Sequence, residues 1–358
     1  MIWLSWRQFR VQAAVIAVAV AALGITLAIT GPGILDAYHA QGHDFLSRLQ
    51  FSKLDKFLYV LGLLTMYIAP PVIGAFWGAP LIARELEAGT HRLVWTQSVS
   101  RTRWLTTKLV MATLSALVAG GLLTLAVTWW SSPIDRAAGN GDGVGPFSLP
   151  RLDPAIFGTR GMVPVGYLIF ALAVGVTLGF VLRRSVAAIA LTLVVSAAVQ
   201  IVVPLMVREH LATPVTQNIV ISMETFRGIE VNNDNGGGPS GPLHNLIVKA
   251  GKPGDWLLTS ETVNAAGVVQ QTLPSWLGPC LAPEPPGTPT RSAAPIKGDR
   301  SDMAACFTRL TNLGYQQRVT LQPASRFWTL QWRETSMLFA AAMLLFGFSF
   351  WRIRRDLS

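Results

Sequence analysis

VQAAVIAVAVAALGITLAIT, Val11–Thr30, is a run of twenty residues without a charge. A helix needs about 20 mostly apolar residues to cross a bilayer, so this stretch is expected to be a membrane span. Arg7 and Arg10 precede it. The run is nevertheless too long for a signal-peptide core, and no small-residue cleavage site follows, so the span is expected to be retained. The ten residues before it, MIWLSWRQFR, combine Ile2, Trp3, Trp6 and Phe9 with the two arginines. That mixture suits a short helix over residues 1–10 lying in the membrane interface.

Five further segments read the same way, at about 57–82, 107–130, 163–182, 185–207 and 335–351, none with an ionised residue near its centre. The chain is 51% hydrophobic and only 13% charged, against about 25% charged in soluble domains. These features predict an α-helical polytopic membrane protein with six transmembrane helices. Pro70, Pro71 and Pro204 fall inside spans and are expected to kink them, because proline lacks a backbone donor.

The net charge of +10 raises nucleic acid as a partner, but the basic residues flank apolar runs and form no single face. The lipid bilayer is the expected partner, not nucleic acid. With the N-terminus inside, the short inner segments hold about twelve Lys and Arg and the short outer loops about six. That bias places both termini in the cytoplasm of a multi-pass plasma-membrane protein.

Residues 208–333 are richer in polar residues, Gly and Pro, and are expected to form a small mixed α/β extracellular domain between the fifth and sixth spans. NNDNGGGPSGP (232–242) and LAPEPPGTPTRSAAP (281–295) read as loops. The runs NIVIS, NLIVKA, DWLLTS, GVVQQ and RVTLQ read as strands. SDMAACFTRLTNLG (301–314) reads as an amphipathic helix ended by Gly314. The two cysteines, Cys280 and Cys306, both fall here, and an oxidising exterior favours a disulfide between them. Residues 334–358 complete the chain as the last span and a cytoplasmic tail.

The sequence holds no G-x-x-x-x-G-K-[ST], H-E-x-x-H or G-x-S-x-G motif. It is therefore expected to be no enzyme and to bind no ATP through a P-loop of its own. DAYHAQGHD places Asp36, His39, His43 and Asp44 close together, but Gly42 interrupts the helical spacing, so a solvated loop is expected there and no metal site. Tyr67 and Gln200 are polar groups within the spans; they either touch cargo or bond to neighbouring helices.

One connection stands out. ARELEAGTHRLVWTQSVSRTRW (83–104) joins the second and third spans with six Arg and Glu residues. Thr90 can cap a short helix, HRLVWTQS, and Ser100 can cap the next, which runs into the third span. Such a helix suits docking into a groove on a partner, or lying in the interface with snorkelling arginines anchored by Trp95 and Trp104.

RELEAGTHRLVWTQSVSRTRWLTTK (84–108) resembles the segment between the second and third spans in permease subunits of type-two ABC exporters of actinobacterial type. LSWRQFR and QPASRFWTLQWRET (322–335) are similar to the corresponding parts of those permeases. The resemblance implies a transmembrane permease that pairs with a second permease, the same chain or a related one. Each half would rest on an ABC ATPase subunit that binds ATP and Mg, with no cofactor in this chain. It further implies that 84–104 is a coupling segment, with Glu85, Glu87, Thr90, His91, Arg92 and Trp95 meeting the ATPase. The second and fifth spans would line the path of a hydrophobic or amphipathic cargo, with Tyr67, Phe76 and Gln200 as candidate contacts. The alternative is a membrane-anchored receptor or immunity protein that binds a ligand through its extracellular domain.

Overall fold

The structure, a computed structural model, describes residues 2–89, 100–142, 145–231, 243–277 and 300–355. It divides into two compact units: the chain up to Ala212 together with Ala324 onward, and Thr213–Pro323.

Among the described residues of the first unit, six helical stretches are long and apolar enough to cross a membrane. They are Ala13–Phe51, Lys53–Glu87, Arg101–Gly139, Val163–Leu182, Ser185–His210 and Ala324–Arg355. The separate short helix expected over residues 1–10 is absent. One helix runs from Ile2 to Gln41, because neither Gly nor Pro occurs in residues 2–23 to break it. A turn at Gly42–Asp44 follows, where Gly42 adopts φ +51°, a conformation that a Cβ disfavours. Asp36, His39, His43 and Asp44 form no metal-binding cluster among the described residues. The third span begins as expected: the Ser100 hydroxyl accepts from the Arg103 amide at 3.4 Å.

Both proline sites coincide with a widened turn. Pro70 and Pro71 end the regular part of the second span, Lys53–Ile73, and a π turn follows at Gly74–Gly78. Pro204 lies inside a second π turn, Val203–Val207. Proline frees the carbonyl four residues back, and a π turn is one way the helix absorbs the misfit.

The fourth span is the axis of the bundle. Its most apolar stretch is 72% buried, against 6% for the first span. Leu168 and Leu172 on it pack with Ile73, Trp77, Ala112 and Ala342 from three other spans. The tightest approach is backbone to backbone: a Cβ on Gly175 would lie 2.2 Å from the Gly74 carbonyl oxygen. Small residues at such crossings let helices close without a hydrophobic drive from lipid. The regular part of the fifth span, Ser185–Val202, is buried along one line only, Ala188, Thr192 and Ser196, four residues apart and so on one face.

The second unit contains a three-stranded antiparallel sheet in the order β1-β5-β4, where β1 is Val215–Val220, β4 is Trp256–Val263 and β5 is Gln316–Gln322. Val215 pairs with Leu321 and Val220 with Gln316. A second pair joins β2 (Phe226–Val231) to β3 (Leu243–Val248). Helix Arg300–Asn312 packs Phe307 and Leu310 against Ile221, Leu246, Val319 and Leu321. Four expected strands are present. GVVQQ makes only an isolated bridge, Val263 to Val269. Strand β2 was not expected, because Gly228 and the flanking charges break its apolar pattern. Cys306 lies on the helix, and Cys280 lies outside the described residues.

Candidate functional site

The segment 84–104 is rooted in the bundle by side chains at both of its ends. Helix Ala79–Glu87 carries Glu85 and Glu87. Glu85 pairs with Lys108 on the third span, and Lys108 also donates to the Leu81 carbonyl at 3.4 Å. The Lys108 ammonium lies 4.9 Å from the Trp104 ring centre. Trp104 is itself buried among Ile82, Leu105, Val176, Phe180 and Ile353. A cation between a carboxylate and an indole face is attracted to both.

Glu87 reaches a different helix. Its Oε2 accepts from the Ser185 amide at 3.0 Å and from the Ser185 hydroxyl at 2.7 Å. Ser185 opens the fifth span, so Glu87 supplies a carboxylate to the first turn of that helix, where free amides and the helix dipole favour negative charge. Arg183, in the left-handed region at φ +52°, turns the chain sharply so that this first turn faces Glu87. Thr90, His91, Arg92 and Trp95 lie outside the described residues. Arg103 is exposed at the start of the third span.

Of the three path candidates, the structure joins two. The Gln200 amide donates to the Tyr67 carbonyl at 3.1 Å. That carbonyl would ordinarily accept from the amide four residues on, which here belongs to Pro71 and has no hydrogen. Gln200 thus satisfies a backbone group that the proline orphaned, which costs several kcal/mol if left bare in a bilayer. The Tyr67 hydroxyl donates to the Ala155 carbonyl at 2.8 Å. Phe76, on the π turn, is 50% exposed and takes no part in this contact.

A polar cluster at the far end of the fourth span was not foreseen. Arg208 and Glu334 are both fully buried and meet side-on: Nε to Oε2 at 2.8 Å and Nη2 to Oε1 at 3.0 Å. The Tyr167 hydroxyl donates to Glu334 Oε1 at 2.9 Å, and Arg208 Nη1 donates to the Pro154 carbonyl at 3.2 Å. The Arg208 guanidinium also lies 4.3 Å from the Phe157 ring centre. One turn earlier on the sixth span, Gln331 Oε1 accepts from the Met162 and Val163 amides at 2.9 and 3.0 Å, capping the fourth span from outside. Nearby, Arg160 holds Asp135 through Nε at 2.8 Å and Nη2 at 3.3 Å. Burial works against the Arg160 charge, but Asp135 beside it more than compensates and its pKa is raised.

The sequence carried one sign of this cluster. Arg208 and Glu334 are the charged-type residues at the inner edges of the two apolar runs that bracket the second unit. Their pairing was hidden because the sixth span starts earlier than its apolar core, at Phe327, and so encloses Glu334.

A family model described as ABC-2 membrane transporter related matches residues 16–208. No curated protein and no solved structure matches the chain. The matched stretch covers the first five spans, except the start of the first and the end of the fifth, and the 84–104 segment.

Proposed function

The chain belongs to the ABC-2 membrane transporter related family, and from that premise we propose that it is one permease half of an ATP-driven exporter. It is a multi-pass membrane protein, the non-catalytic membrane component of an ABC transporter. In the proposed complex the N-terminus is cytoplasmic, 84–104 faces the cytoplasm, and the Thr213–Pro323 unit lies outside. A second permease, the same chain or a related one, completes the pathway. Each half rests on an ATPase subunit that binds ATP and Mg. The cargo is hydrophobic or amphipathic, and the half-exposed Phe76 is its contact on the second span.

The observation that carries this reading is the rooting of 84–104. A displacement of that segment acts directly on the second span, on the third through Glu85 and Lys108, and on the fifth through Glu87 and Ser185. An ATPase docked on Thr90, His91, Arg92 and Trp95 would move three spans with one push. With the ATPase present, Glu87→Ala and Ser185→Ala are each expected to leave ATP hydrolysis running while transport per ATP falls several-fold. Vesicle transport and phosphate release, measured on the same preparation, give the ratio. An unchanged ratio in both variants would reject the coupling role, and an ATPase that never co-purifies would reject the exporter.

The outside location also supports a Cys280–Cys306 bridge tying a Pro-rich stretch to the Arg300–Asn312 helix, where it would stabilise a small core. Non-reducing electrophoresis of the intact chain is expected to show a mobility change on reduction. Cys306→Ser should abolish that change.

A further inference from the structure

The first span is fully buried along only part of its length; Ala13, Ile16, Val20 and Leu23 are partly buried against the bundle. Leu27, Gly31 and Ile34 are buried, and the Trp130 indole donates to the Thr30 hydroxyl at 2.9 Å. Between Ala13 and Thr26 no residue is buried. In that half a cavity of about 320 Å³ opens between the first, second and third spans. Val20 and Leu23, Leu61 and Ala69, and Gly120 and Leu123 wall it, one pair from each span.

The chemistry of the walls is narrow. They are aliphatic, with no aromatic ring and no charge. Their one hydroxyl, on Thr65, already donates to the Leu61 carbonyl at 2.7 Å. A cavity without polar partners does not hold water. Rings and carboxylates, which recognise aromatic or cationic compounds, are absent from its lining. The size matches the lower range of small-ligand sites, and its surroundings in a bilayer are hydrocarbon.

We propose that this cavity binds one hydrocarbon chain of a membrane lipid, which fills the space between the first span and the second and third. The chain enters along the less buried half, and the contacts at Leu27, Gly31 and Ile34 close the far end. The proposal rests on the membrane location alone and stands or falls separately from the coupling role of 84–104.

The test is photolabelling of the full chain in lipid nanodiscs carrying trace phosphatidylcholine with a diazirine midway along one acyl chain. Adducts are mapped by residue. The second span supplies its own control, since Leu61, Thr65 and Ala69 face the cavity while Leu64 and Ile68 are exposed. Adducts on the cavity residues are expected to exceed those on Leu64 and Ile68 several-fold. Ala19→Phe, which fills the cavity from its exposed edge, and Ala119→Leu, which fills it from the third span, are each expected to remove that excess and spare Leu64 and Ile68. Equal labelling of both faces overturns the proposal. So does an excess that survives both variants, or a cavity left unlabelled because a second copy covers it.

Discussion

Glu334→Ala is expected to cost the solubilised protein about 3–5 kcal/mol, the usual penalty for removing one partner of a buried ion pair. The loss is large because Arg208 then remains charged at 0% exposure, with only the Pro154 carbonyl and the Phe157 ring for company. Tyr167 would lose its acceptor as well. Replacing both members by apolar residues, Arg208→Met with Glu334→Leu, is expected to recover most of the stability, since a well-packed apolar substitute is often neutral or better. Thermal unfolding followed by gel filtration separates the two results. A single variant as stable as the parent would show that Arg208 finds other partners. A double variant as unstable as the single one would show that the pair itself holds the helices. If the double variant folds but transports poorly, the pair serves positioning more than stability.

Gly175→Val is the second large effect. The added Cβ would sit 2.2 Å from the Gly74 carbonyl oxygen and 2.8 Å from the Ala79 amide. Both are backbone atoms, which cannot rotate away as a side chain would. The second and fourth spans must separate at their tightest crossing, at a cost of about 3 kcal/mol, the upper end of ordinary overpacking. Gly121 provides the contrast. Nothing lies within 4 Å of its would-be Cβ, so Gly121→Ala is expected to be neutral or to stabilise by up to about 1 kcal/mol through helix propensity. Equal melting of the Gly175 and Gly121 variants would remove the close crossing as a source of stability.

The spans were legible because uninterrupted apolarity is a local signal. The fourth, Val163–Leu182, was read to the residue: prolines and polar residues precede it, and two arginines follow. Serine capping before the third span was equally local. The π turns were not legible. Proline announces a disturbance, but whether a helix kinks or widens depends on what packs against it, here the glycine-bearing face of the fourth span. The start of the sixth span, expected near residue 335 and found at Phe327, was hidden for the same reason. Glu334 looks like a solvated flank until Arg208 is brought to it across 126 residues. Glu85 and Glu87 looked available for a partner because their own partners stand 23 and 98 residues away. Gln200 was recognised as unusual; its role became clear only beside a carbonyl deprived of its donor by Pro71.

The family match ends at Arg208, while Glu334 follows the Thr213–Pro323 unit. Within that unit the two terminal strands run side by side, Val215 opposite Leu321, so the chain departs and returns at nearly one point. A unit joined at one point can be shortened, lengthened or replaced in a variant without re-threading the helices, provided an acid still waits at the head of the last span to meet the arginine left behind by the fifth.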